Sequence, residues 1–180
     1  MTIGTKTVLY GSHCFLIHPW FVALAWWKLY GFPLDVRLWF AFFLHDIGYI
    51  GKNNIDGEDG ERHPELGANI MTFLFGKKWG DFTLYHSRFY ARNNNANFSK
   101  LCIADKYAIV ITPTWFYIFL ARLSGEIVEY RYLLEDANSK YNQQRHDVYK
   151  AGDTDYDWFN KLKIFMNKWV QENKYGAQKS

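Results

Sequence analysis

The chain has 180 residues, 49% hydrophobic and 22% charged, a balance that excludes disorder over most of its length and supplies apolar surface for one shared core. With 21 Lys and Arg against 18 Asp and Glu, the net charge of +3 is too small and dispersed for a binder of nucleic-acid polymer, but it leaves a small phosphate-bearing ligand open. Aromatic residues make up 20%, a surplus suited to lining a pocket, a partner surface or a membrane interface.

In chain order, Pro19 suits the first turn of a helix running to about Tyr30, with Gly31 as its stop and Pro33 as the break. Asp35 opens a second helix carrying Val36, Leu38, Trp39, Phe40, Phe42, Phe43 and Leu44, apolar almost all round and therefore expected at the centre of the fold. Residues 48–62 turn to Gly, Asn, Asp and Glu and read as a loop. Pro64 starts a helix from Glu65 to about Phe75, and a helix or turn follows from Asp81 to about Arg92. Ser99 opens an apolar helix through Ile111, which Pro113 interrupts before it resumes over Trp115–Leu123. The last third is amphipathic over Glu126–Asp136, Ser139–Lys150 and Asp155–Asn173, with Trp158, Phe159, Leu162, Phe165, Met166 and Trp169 forming a core-facing stripe.

These signals predict an all-α bundle of about seven to nine helices in one domain, residues 1–174, with a disordered tail at 175–180. Neither Cys14–Tyr30, cut by His18, Pro19 and Lys28, nor Tyr107–Ala121, with Pro113 inside it, offers the roughly 20 predominantly apolar residues of a membrane span. No secretory signal is evident in Met1–Tyr10, and Cys14 and Cys102 match no zinc spacing and read as buried reduced thiols. A cytoplasmic protein without membrane attachment is expected, with oligomerisation left open.

Chemistry concentrates where packing does not ask for it. His45 and Asp46 are adjacent ligand types at the end of an apolar helix, where both can turn toward one metal ion. Asp105 sits inside the apolar run LCIADKYAI and needs a counter-charge, a hydrogen-bonding shell or a metal; Lys106 should point elsewhere on the helix and cannot be its only partner. His18, His63 and His86 are individually weak signals, each readable as a cap or a satisfied core histidine. The ordered set His18, His45-Asp46, His63, His86, Asp105 is far more specific than its members.

That order resembles the HD-domain metal-dependent phosphohydrolases, through His18 with Val22 and Ala23, HDIG at 45–48, HPELGA at 63–68 and SKLCIADKYA at 99–108. The likeness covers about half the chain, from His18 to Ile109, with 126–173 as a helical extension. The six-ligand subset is the nearest match, and its symmetrical bis(5′-nucleosyl)-tetraphosphate hydrolases are most similar in size and in the spacing from His86 to Asp105. The resemblance implies two divalent transition-metal ions, Fe, Mn, Co or Zn, one held by His18, His45, Asp46 and Asp105 and the other by His63 and His86, with Asp46 bridging. It also implies Asp46, His63 and His86 as the catalytic set, and hydrolysis of a phosphoester or phosphoanhydride bond in a nucleotide or related compound.

Many relatives have a lysine where this chain has Tyr49, and no GYP extension is recognisable. His13 competes with His18 as first ligand, although Val22 and Ala23 favour His18. Candidate phosphate contacts are Lys52, Arg88, Arg92 and Lys106, with Arg62 nearby; Arg88 and Arg92 are four apart and could equally form a solvated face. Trp20, Tyr49, Phe89 and Trp115 are candidate stacking faces. The acidic stretch 56–61 lacks a calcium-loop pattern and reads as a lid, with Glu58, Asp59 or Glu61 as a proton carrier or extra ligand. The alternatives are a mononuclear deoxynucleotide phosphohydrolase, an HD-type di-iron oxygenase and a non-catalytic nucleotide sensor.

Overall fold

The computed structural model describes residues 1–135 and 152–175, and every regular element among them is helical. Ten α-helices follow in order: α1 Ile3–Tyr10, α2 His18–Tyr30, α3 Val36–Leu44, α4 Pro64–Phe75, α5 Lys77–Leu84, α6 Arg88–Asn93, α7 Lys100–Ile111, α8 Thr114–Ser124, α9 Glu126–Glu135 and α10 Asp155–Asn173. Short 3₁₀ turns stand at Ile47–Tyr49 and Gly60–Arg62.

The expected starts hold for physical reasons. Pro19 and Pro64 lie in first turns, where a missing N–H costs nothing, and the Asp35 carboxylate caps α3 by accepting from the Arg37 backbone N–H at 2.9 Å. Thr154 and Asp157 form a reciprocal capping box at the start of α10.

Two expectations change. The helix count exceeds seven to nine, because α1 forms from a weak pattern capped by Thr2, and the 81–92 segment divides into α5 and α6 with a break around His86. α3 is not buried all round: Leu38, Ala41 and Phe42 face the core while Val36 and Phe40 are exposed, so part of the aromatic surplus lies on the outer surface. Ser139–Lys150 and the 176–180 part of the tail lie outside the described residues.

One core joins α2, α3, α4 and α7 through Val22, Trp26, Phe42, Met71 and Leu101. A second joins α8, α9 and α10 through Tyr117, Ile118, Ile127, Phe159 and Met166, with Tyr117 and Phe159 stacked at 3.9 Å. Between α7 and α8 the chain turns by 103° at the Pro113 break, and no single described helix is long and apolar enough to cross a membrane. Cys14 and Cys102 are both buried and free.

Two glycines let the site assemble. A methyl group at Gly48 would collide with the His63 carbonyl, and one at Gly67 with the Leu44 carbonyl. The start of α4 can therefore lie directly against the end of α3, which brings His63 to Asp46.

Candidate metal centre

His18, His45, Asp46, His63, His86 and Asp105 converge from α2, the end of α3, the start of α4, the turn after α5 and the middle of α7, and all six are buried. Three of the histidines end a helix or a 3₁₀ turn and place Nδ1 on the carbonyl three residues back: His45 on Phe42 at 2.9 Å, His63 on Gly60 at 2.7 Å and His86 on Thr83 at 2.6 Å. Carbonyls only accept, so each Nδ1 carries a proton and each Nε2 is the ring atom turned to the centre. Helix ends have unpaired carbonyls to give, so the same local structure that stops the helix sets the tautomer.

Asp46 divides the cluster. Its Oδ1 is 3.4 Å from Nε2 of both His63 and His86, while its Oδ2 is 3.4 Å from His18 and 3.2 Å from His45. Asp105 Oδ1 completes the second set at 3.1 Å from His18 and 3.9 Å from His45. Two groups result, His18–His45–Asp46–Asp105 and Asp46–His63–His86, in each of which the ligand atoms all lie within 4.8 Å of one another. Asp46 belongs to both.

The donor set fits metal ions. Nε2 of His63 and Nε2 of His86 are 3.1 Å apart, and with both protons already on Nδ1 these are two lone pairs facing each other in a buried space. His45 Nε2 and Asp46 Oδ2 are likewise buried without a hydrogen-bond partner. A cation in each group would satisfy these atoms together.

Electrostatics agree. Burial opposes ionisation of Asp46, but His45, His86 and His13 outweigh it and hold the carboxyl well below its usual range. At Asp105, Lys106, His18 and His45 do the same against burial. Burial lowers His45, yet Asp46 and Asp105 reverse this and push it up to about 10, so the carboxylates draw positive charge onto Nε2. Burial drives His63 well below its ordinary value, which keeps it a neutral ligand type.

Beside the cluster opens a cavity of about 290 Å³ whose wall includes Asp46, His63, His86, Asp105, Arg88, Arg92 and Lys106. Lys106 does pair with Asp105, Nζ to Oδ2 at 2.8 Å, because its long flexible side chain curls back past the next residue; the expectation that it points elsewhere is corrected. Lys52 is off this wall, its ammonium 3.1 Å from Asp59. Arg62 pairs with Glu65. Of the stacking candidates, Tyr49 and Phe89 line the cavity, with Tyr49 stacked on His63 at 3.9 Å, whereas Trp20 and Trp115 are largely exposed and off it.

The acidic loop is anchored. Backbone N–H groups of Ile55 and Asp56 donate to Glu129 of α9, and Asn53 N–H donates to Asp59, all at 2.9 Å. Glu61 reaches the cavity wall; Glu58 and Asp59 do not.

His18, not His13, stands in a ligand group. His13 lies next to the cluster, with ring centroids 5.6 Å from His18 and 5.0 Å from Tyr49, and lines the same cavity. Sequence reasoning missed what holds it. Glu126, the first residue of α9 and fully buried, accepts from Ser12 N–H at 2.6 Å, Ser124 Oγ at 2.7 Å, Ser12 Oγ at 2.8 Å, Thr7 Oγ1 at 2.9 Å and Tyr130 OH at 3.1 Å. As an acid opening an amphipathic helix it reads as an ordinary first-turn residue, with two of its partners, Thr7 and Ser12, more than 110 positions upstream in sequence.

No protein-family model, curated protein or solved structure matches the chain. The buried His and Asp cluster is compatible with an HD-type site and could hold metal ions.

Proposed function

We propose that this chain is a metal-dependent phosphohydrolase of the HD type, cleaving a phosphoester or phosphoanhydride bond in a nucleotide or similar small phosphate compound. The observation that carries the reading is Asp46, whose two oxygens face two separate groups of buried ligand atoms beside a cavity walled by cationic side chains. His18, His45, Asp46 and Asp105 would hold one divalent ion, and Asp46, His63 and His86 the other. When bound, such ions lower the pKa of a nucleophilic water and neutralise charge growing on the phosphoryl oxygens.

The protein's own residues do the rest. Arg88 and Arg92 present guanidinium groups suited to bidentate phosphate contact, and Lys106 adds a point charge whose position Asp105 fixes. Tyr49 and Phe89 give the cavity an apolar side for a base or sugar. The backbone hydrogen bonds to Glu129 hold the acidic loop over this end of the molecule, so the wall needs no ordering when substrate arrives. A volume of about 290 Å³ stands at the lower end of the roughly 300–1,000 Å³ of small-molecule sites. It favours a substrate on the mononucleotide scale.

The test is metal content by elemental analysis together with phosphate release from a nucleotide panel supplemented with Mn²⁺. Wild type is expected to carry Fe, Mn, Co or Zn and to hydrolyse members of the panel, and Asp46→Ala to lose both. Purified protein that carries no transition metal and hydrolyses the panel equally well with and without Asp46 would overturn the proposal. A mononuclear enzyme is the second reading, favoured by the two carboxylates concentrated in the four-residue group. One ion retained in a His63→Ala, His86→Ala double variant would select it.

A further inference from the structure

We propose that the phosphate compound taken by this site carries a short aliphatic group, and that this group seats in a second, apolar cavity walled by α2, α7 and α8. The inference rests on the phosphohydrolase reading and narrows its substrate class to small phosphate compounds with a hydrocarbon part.

The second cavity adjoins the candidate metal centre. His18 and Asp105, two members of one ligand group, line it. His13, Asp105 and Lys106 line both this cavity and the cationic one, so the two spaces meet at these three residues. Away from that junction the wall turns apolar, with Ile17 and Phe21 at the start of α2, Ile109 on α7, and Phe116 and Leu120 on α8. The rings of Phe21 and Phe116 stand 6.3 Å apart and link α2 to α8. Ile109 follows Asp105 by four residues on α7, which places it on the same helix face, one turn beyond the carboxylate.

Polar groups in this wall are already engaged. Thr112 Oγ1 donates to the Ala108 carbonyl at 2.8 Å, and the Thr112 carbonyl accepts from Lys163 Nζ at 2.9 Å. Ser12 Oγ donates to Glu126 at 2.8 Å, and Lys106 Nζ to Asp105 at 2.8 Å. A water held in a cavity needs two to four polar partners, whereas a methylene needs none and gains from leaving water. The cationic cavity has the opposite character, with Arg88, Arg92 and Lys106 in its wall. A compound bound at the cluster therefore meets charge on one side and hydrocarbon on the other, which is the pattern of an amphiphile. The apolar cavity has a volume of about 40 Å³. At about 10–15 Å³ for each water-sized group, that is room for about three methylenes.

The experiment is calorimetric titration of the Mn²⁺-supplemented full chain with methyl-, propyl-, butyl- and hexylphosphonate. Their carbon–phosphorus bond is not a hydrolysable ester, so binding is read apart from turnover. For wild type, Kd is expected to fall by about fourfold per added carbon, about 50-fold from methyl to butyl, and to change little from butyl to hexyl. Ile109→Phe fills the cavity and should reduce the methyl-to-butyl ratio to less than about fivefold. Phe116→Ala widens it and should make hexylphosphonate bind more tightly than butylphosphonate. Kd values equal within about threefold along the wild-type series would overturn the proposal, as would failure of every phosphonate to bind. A wild-type ratio retained in Ile109→Phe would place the chain on another wall and overturn it too. Chain-length-dependent binding by a protein that hydrolyses neither butyl phosphate nor the nucleotide panel would leave the cavity assignment standing and overturn the phosphohydrolase reading instead.

Discussion

Replacing Glu126 with alanine removes one buried acceptor from five hydrogen bonds at once. The Ser124 hydroxyl can turn to the Leu120 carbonyl at 3.1 Å, but Thr7 and Ser12 are buried and lose the carboxylate without ready replacement by water. Removing one member of a buried charged network costs about 3–5 kcal/mol, which for a domain of this size is about 6–20 °C in melting temperature. Glu126→Gln should cost about 1–2 kcal/mol. Its amide nitrogen can take the Oε2 position, where the neighbouring hydroxyls can rotate to accept, leaving its oxygen for the fixed Ser12 N–H. The pH dependence has a definite sign. Burial works to raise the Glu126 pKa, but the neighbouring His13 and the hydrogen bonds from Ser12 and Ser124 outweigh it and hold the group below 4.5. Its contribution is then complete above 4.5 and lost as pH falls through the depressed value, so the stability gap between wild type and Glu126→Ala should narrow on acidification. Urea and thermal unfolding across pH 3–8 measure this. A gap under about 1 kcal/mol at pH 7, or one that widens in acid, would refute the reasoning.

Gly67→Ala forces a methyl group against the Leu44 carbonyl and should cost about 1–3 kcal/mol while lowering metal content, because α4 carries His63 into the cluster; unfolding and elemental analysis read the two effects. Arg92→Ala should raise KM for phosphate substrates by about 10–150-fold, the equivalent of about 1.5–3 kcal/mol, with metal content unchanged. Phe159→Ala should cost about 3–5 kcal/mol in unfolding experiments yet leave metal binding intact in the folded protein, since Phe159 belongs to the core of α8, α9 and α10. Divalent metal at a hundred times its Kd should stabilise wild type by about 2.7 kcal/mol in thermal melts, and Asp46→Asn should show little of this shift.

The residues of the buried cluster were legible because carboxylates and histidines are conspicuous in apolar helices, and because their order along the chain is restrictive. Gly48 and Gly67 belong to the same signal, being the positions where the chain at and just after the end of α3 touches the chain at the start of α4 backbone to backbone. The helices with proline starts were legible for local reasons as well. What stayed hidden depends on distant or flexible partners. Glu126 looks like any acid at a helix start until the fold brings Thr7 and Ser12 to it. The acidic stretch 56–61 reads as a lid, but its anchoring through Ile55 and Asp56 to Glu129 depends on a partner more than 70 positions away. Lys106 defeats a helical-wheel argument because four methylenes let an ammonium reach the neighbouring carboxylate. The break around His86 carries no Gly or Pro, yet it is what turns this histidine's Nδ1 onto the Thr83 carbonyl.

Anomalous X-ray scattering from crystals grown with Mn²⁺ tests most directly whether one carboxylate, Asp46, joins two metal sites. Two peaks are expected, one among His18, His45, Asp105 and Asp46 Oδ2, and one among His63, His86 and Asp46 Oδ1. A Mn²⁺-grown crystal with a single anomalous peak inside this cluster, or none, would contradict the account.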